Sequence, residues 1–121
     1  MSLCDDIKSL LGIESMIFIG DKPDTPDNLI CISQSGGYNP QLSIDKSSIE
    51  KPTFQIYLRD TNYQNAQARI KAIKQVVNGV SNQTINDSFY INILQQGDIL
   101  PWGRDEHTRW EFSINFRTQI R

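Results

Sequence analysis

The sequence predicts an α+β domain: a mainly antiparallel sheet with one long helix packed on one face and a short helix at the N-terminus. Three observations predict it. The segments 54–58, 89–94 and 110–117 alternate apolar and polar residues with the period of a half-buried strand. A single stretch, 63–77, repeats its apolar residues at three and four positions, which is helical spacing. The last two strands are joined by an irregular charged connection with no helix in it, so they pair antiparallel. With 121 residues the chain suits one hydrophobic core, and a single structural domain is expected over 1–121.

Taken in order, "SLCDDIKSLLGI" places Leu3, Ile7, Leu10 and Leu11 on one helical face, with Ser2 as N-cap and Gly12 as stop. "SMIFIG" is a short apolar strand bounded by Gly20, and "GDKPDTPDN" a turn-rich connection. "LICISQ" is a second strand, with Leu29, Cys31 and Ser33 on one face and Ile30, Ile32 and Gln34 on the other. The stretch 35–52, "SGGYNPQLSIDKSSIEKP", shows no period and is expected to be a long functional loop with a glycine hinge before Tyr38. "PTFQIYLRD" sets Phe54, Ile56 and Leu58 against Gln55, Tyr57 and Arg59. The long helix is capped by Asp60 or Thr61, carries Tyr63, Ala66, Ile70, Ile73 and Val77 in its stripe, and closes at Asn78-Gly79. "SNQTINDS" is a polar turn. In the final strands Phe89, Ile91 and Ile93 oppose Tyr90, Asn92 and Leu94, and Trp110, Phe112, Ile114 and Phe116 oppose Glu111, Ser113, Asn115 and Arg117. The helix covers the apolar face. The other face is polar and suits solvent or a partner chain.

Composition narrows the chemistry. A net charge of -2 and a pI near 5.2 leave no basic footprint for coating nucleic acid. Arg69, Lys71 and Lys74 form a basic helix face, but without an aromatic platform such a face is ordinary solvated surface. Cys4 and Cys31 lack the number and spacing of a disulfide framework or a zinc site and read as small buried side chains in a reducing compartment. The N-terminus is acidic where a signal peptide is basic, and no apolar run approaches the ~20 residues a membrane span needs. A soluble protein with no membrane association is expected. Asp21, Asp24 and Asp27 miss the alternate spacing, central glycine and distal glutamate of a calcium loop, so a solvated turn is expected. Gly36-Gly37 lacks the lysine and second glycine of a phosphate loop. Adjacent residues such as Asp105, Glu106 and His107 rarely converge on one ion. His107 is the one histidine and sits in "GRDEHTR", a run that reads as the exposed tip of a hairpin, so neither a catalytic residue nor a cofactor is expected.

What the connection 95–109 does offer is alternating charge, Arg104, Asp105, Glu106 and Arg109, on an approach stiffened by Pro101-Trp102-Gly103. Alternating charges suit contact between copies of one chain, an arginine of one subunit meeting a carboxylate of the next.

"PDNLICISQSGGYNP", "EKPTFQIYLRD", "YQNAQARIKAIKQVVNGV" and above all "LQQGDILPWGRDEHTRWEFSINFR" resemble, in that order from Pro26 to Arg117, the minor capsid protein family of long-tailed bacteriophages, related in fold to the tail terminator, or tail completion, proteins. The resemblance implies a virion structural protein and not an enzyme. It implies a homo-oligomeric ring, expected to be a hexamer, at the head-proximal end of the tail. That ring caps the tail tube protein, meets the head-tail connector protein and lets DNA pass without specific binding. Assembly is expected in the bacterial host cytoplasm, from a virulent phage or a prophage. It gives Tyr38, Arg59, Arg104, Asp105, Glu106, Arg109 and Arg117 a role in oligomer and partner contacts. The alternative within the same virion is a head-side connector, or head completion, component. A small ligand-binding domain would need His107, Tyr57 and Tyr90 to converge, and a nucleic-acid module would rest on Arg59, Arg69, Lys71 and Lys74.

Overall fold

The computed structural model describes residues 3–12, 17–20, 22–42 and 48–121, with side chains described outside 36–42 and 48. The chain is mainly sheet with two helices. Its elements are α1 (Leu3–Leu11), β1 (Ile17–Ile19), β2 (Leu29–Leu42), β3 (Ser48–Asp60), α2 (Tyr63–Val77), β4 (Ser81–Ile85), β5 (Ser88–Arg104) and β6 (Trp110–Ile120). The strands make one six-stranded sheet in the order β1-β2-β3-β6-β5-β4.

Both helices pack on the same face. Leu3, Cys4 and Ile7 of α1 and Ala66, Ile70, Ile73 and Val77 of α2 join Ile30, Ile32, Phe54, Ile56, Leu58, Phe112, Ile114 and Phe116 in one core. Strand alternation delivers these side chains, because Phe54, Ile56 and Leu58 lie directly across from Phe116, Ile114 and Phe112. The rings of Phe54 and Phe116 stack at 5.2 Å with no exposure, so truncating either to alanine costs about 3–5 kcal/mol. On the opposite face lies a small cluster of Leu29, Cys31 and Tyr57, with Phe18 against it, and among the described residues no helix covers that face.

Several expectations need correction. The sheet is mixed, because β1 joins β2 in parallel while the other pairings are antiparallel. The irregular segment 22–28 leads into the starting end of β2, and Gly20, at φ 89, donates its N–H to the Ile32 carbonyl at 2.9 Å. The stretch 35–52 is a continuation of β2 and β3 with register shifts at 35–37 and 38–41, and only 43–47 lies outside the described residues. Shifts also carry β5 on to Arg104, through the stretch expected to be irregular. Bulges break the period of two, which is why neither extension shows it. "SNQTI" is strand β4, an edge strand exposed except at Ile85, so its composition shows no apolar face.

One shift changes a face. Tyr90 lies opposite Ile120 and Asn92 opposite Gln119, so an extra residue sits in β5 and the side chains on its two sides point oppositely. Tyr90 therefore belongs to the helix face and not, as its spacing from Asn92 suggests, to the open one. It is wholly buried and its hydroxyl donates to Asp6 Oδ2 at 2.6 Å, while Asn86 Nδ2 donates to Asp6 Oδ1 at 2.8 Å. Burial, and then the Asp6 carboxylate, push the Tyr90 phenol above its ordinary pKa. The pair locks α1 to β5. In α2 the N-cap is Asn62, whose side chain accepts from the Asn65 N–H at 2.9 Å, because Asp60 is engaged earlier with the Asn62 N–H and with Arg69. Tyr63 stays 41% exposed at the rim of the stripe, its ring edge-on to Trp110.

Candidate functional site

At one end of the sheet β6 begins, β3 ends and the 22–28 segment crosses. Arg59 is 3% exposed there. Its Nε donates to the Asp27 carbonyl at 3.1 Å, and its Nη2 to the carbonyls of Pro23 at 2.9 Å, Asp24 at 3.2 Å and Pro26 at 2.5 Å. A segment with two prolines cannot satisfy its own carbonyls through a ladder, and the guanidinium does so instead. Arg109, 4% exposed, faces the same segment from the hairpin turn. Its Nε donates to Asp105 Oδ2 at 2.8 Å, its Nη2 to Asp24 Oδ1 at 3.1 Å, and its Nη1 lies 3.4 Å from Asp27 Oδ1. The other Asp105 oxygen accepts the N–H groups of His107 and Arg109, both at 2.9 Å. Burial alone would raise the Asp105 pKa, but the Arg109 side chain and these two backbone donors outweigh it and bring the carboxyl down to about 2. The bond to Asp105 pushes the Arg109 guanidinium above its ordinary value.

The open face starts beside this network. Tyr57 Oη donates to Glu111, and Lys22 Nζ lies 3.9 Å from that carboxylate and 4.3 Å above the Tyr57 ring. Burial, with Glu111 next, raises the Tyr57 pKa. Trp102 Nε1 donates to Ser113 Oγ at 2.7 Å, yet the residue is 60% exposed. Leu100 is opposite Ser113 and Leu94 opposite Arg117, so Leu94, Leu100 and Trp102 share the open face; the two leucines are 37% and 39% exposed. Farther along, Lys51, Asn92, Leu94, Arg117, Thr118 and Gln119 line a groove of about 280 Å³, across which Asn92 Nδ2 donates to Gln119 Oε1 at 3.1 Å.

The structure thus divides the residues expected at an interface. Arg59, Asp105 and Arg109 are bonded within the chain. Arg104, Glu106 and Arg117 are exposed, with the Arg104 guanidinium 5.4 Å from the Trp110 ring centre. Tyr38 pairs through its backbone with Lys51, and its side chain lies outside the described residues. Asp24 and Asp27 meet Arg109, not solvent alone, while Asp21 lies outside the described residues. His107 is exposed, with Nε2 3.7 Å from Asp24 Oδ1. Among the described residues no group of His, Cys, Asp and Glu is placed to hold a metal ion. Tyr57, Tyr90 and His107 do not converge: Tyr90 is under α1, Tyr57 on the open face and His107 at the turn. Of the basic set, Arg59 is buried and Arg69 pairs with Asp60 at 3.3 Å.

Sequence reasoning missed Lys51, Leu100 and Trp102 as surface-building residues, and placed Leu94 without giving it a role. The signal was parity. Between Gln96 and Leu100 the shift adds an even number of residues to β5, so positions 92, 94, 96 and 100 keep one face.

A family model described as "Bacteriophage tail terminator protein" matches residues 3–121. Among solved structures, a chain from "Virion of native gene transfer agent (GTA) particle" is similar with a TM-score of 0.71 at 10% identity, over 98% of this chain and 94% of that one. No curated protein matches.

Proposed function

Since this chain belongs to the bacteriophage tail terminator family, structural proteins of the virion, we propose that its copies form a ring, of six, that caps the head-proximal end of the tail tube and joins it to the head-tail connector. The observation that carries this reading, beyond the family, is the open sheet face. Both helices cover the other face, and the open one presents Leu94, Leu100 and Trp102 beside exposed charge, which suits burial against other chains. Contacts between copies fall to Arg104, Glu106 and Arg117, with Tyr38 on the β2–β3 arm. Arg59, Asp105 and Arg109 act one step back, by fixing the turn that carries Arg104 and Glu106. DNA passes through without specific binding, since each phosphate neutralised would add salt-dependent affinity and hold the strand. The proposed work is mechanical and needs no catalytic group.

Sedimentation of the protein alone and with the cognate tail tube protein tests this. A ring-sized species, or arrest of tube polymerisation, is the expected result. A monomer indifferent to the tube but bound by the head completion protein would assign it to the head-side connector instead.

A further inference from the structure

Resting on that ring reading, we propose that the 105–109 turn of one copy seats in the groove of the next, with the Glu106 carboxylate between Lys51 and Arg117. The groove has two cations and an exposed leucine, and among the described residues neither cation is placed in an ion pair. Its floor offers the hydrogen-bonded amides of Asn92 and Gln119. This is a seat for a carboxylate on a short aliphatic stem, the acid meeting Lys51 and Arg117 and the stem meeting Leu94.

Glu106 has that shape and is presented for it. Its side chain is 88% exposed, and the Nε2 of the exposed His107 ring lies 3.9 Å from its carboxylate. The turn beneath it is closed by the Asp105 N–H to the Arg109 carbonyl at 2.8 Å and tied to the 22–28 segment through Arg109. A turn already fixed in the free subunit loses little conformational freedom on docking.

Geometry makes the contact intermolecular. β6 runs from Trp110 beside the turn to Arg117 at the groove, and at about 3.3 Å per residue the two are roughly 23 Å apart, far beyond the reach of one side chain. A subunit therefore cannot fill its own groove with its own turn. The donor patch differs from the acceptor patch, so the contact is head-to-tail and repeats from copy to copy, which is the interface type that closes rings.

Reciprocal charge reversal tests it. Wild type, Glu106→Arg, Arg117→Glu and the double variant are compared by sedimentation, alone and on tail tube ends, with thermal melting to show that each folds. Each single reversal is expected to weaken association about tenfold or more, and the double to recover part of it, since the attraction between positions 106 and 117 is restored with its sign inverted while Lys51 opposes the new arginine. Singles that assemble like wild type overturn the inference, as does a double no better than the singles. Loss of tube or connector binding by Arg117→Glu, with self-association intact, would give the groove to a partner protein and also overturn it. Failure of wild type to assemble under any condition is a different result, seen before any substitution, and removes the ring reading itself.

Discussion

Arg59 and Arg117 both belong to central strands and both project from the face opposite the helices, yet one is closed in and the other open. The difference lies in what each finds across from it. Arg59 stands at the end of the sheet where the 22–28 segment crosses, and that segment brings carbonyls without ladder partners. Arg117 stands at the other end, beside Leu94 and Lys51, where the described chain supplies no carboxylate. The same side chain builds the fold in one place and leaves a surface for a partner in the other. Its environment decides, not its type.

The largest expected effect breaks the closed end. Arg59→Ala leaves the carbonyls of Pro23, Pro26 and Asp27 without their donor, that of Asp24 with Arg109 Nη1 alone, and lets water into the 22–28 contact; a loss of about 3 kcal/mol in urea unfolding is expected. Arg59→Lys should recover only part, since an ammonium cannot match the spread of a guanidinium. Arg117→Ala should change stability by no more than about 0.5 kcal/mol. Similar losses for Arg59→Ala and Arg117→Ala would erase the distinction between the two ends.

A smaller effect comes from acid. The folded Asp105 carboxyl titrates at about 2, below its ordinary value of 3.8. A depressed folded pKa means the native state holds the proton less readily than the unfolded chain, so this group's stabilisation is complete above the ordinary value and is lost as pH falls from there towards about 2. Stability against pH, compared between wild type and Asp105→Asn, should show wild type losing its advantage over that window. Parallel curves would mean that the Asp105 bonds to Arg109 and His107 do not couple to folding.

These two ends were unequally legible in the sequence. The core was clear, because Phe54, Ile56, Leu58, Phe112, Ile114 and Phe116 sit on unbulged strands where a period of two survives. The α2 stripe was clear because Ala66, Ile70, Ile73 and Val77 keep an unbroken helical spacing, although its cap was displaced to Asn62 by the prior engagement of Asp60. The arms of β2 and β5 were hidden by register shifts, and Tyr90 changed face because one extra residue inverts every side chain beyond it. At the surface, charge could be read but pairing could not. Asp24 and Arg109 are 85 positions apart, and nothing local to either says that they meet. Asp24 and Asp27 of the acidic turn and Asp105 and Arg109 of the charged hairpin are two halves of one intramolecular network.

The finest test of the comparison lies within the turn, where neighbours have opposite fates. Arg104 shares its hairpin with Arg109 but is exposed, and its main contact is the Trp110 ring at 5.4 Å. Removing that cation–π contact costs about 0.5 kcal/mol at an exposed site, so Arg104→Glu should melt within a degree or two of wild type. In the proposed ring the same change reverses a charge beside Glu106 on the turn that docks. Facing the cationic groove of Lys51 and Arg117, the added carboxylate should strengthen self-association, and more at low ionic strength, where charges are least screened. Sedimentation at two salt concentrations separates the outcomes. A variant that unfolds early makes Arg104 a part of the fold, like Arg109; one that assembles as wild type at both salts removes its charge from the interface. Only an intact monomer with strengthened, salt-dependent assembly keeps a boundary between fold and surface within the hairpin itself.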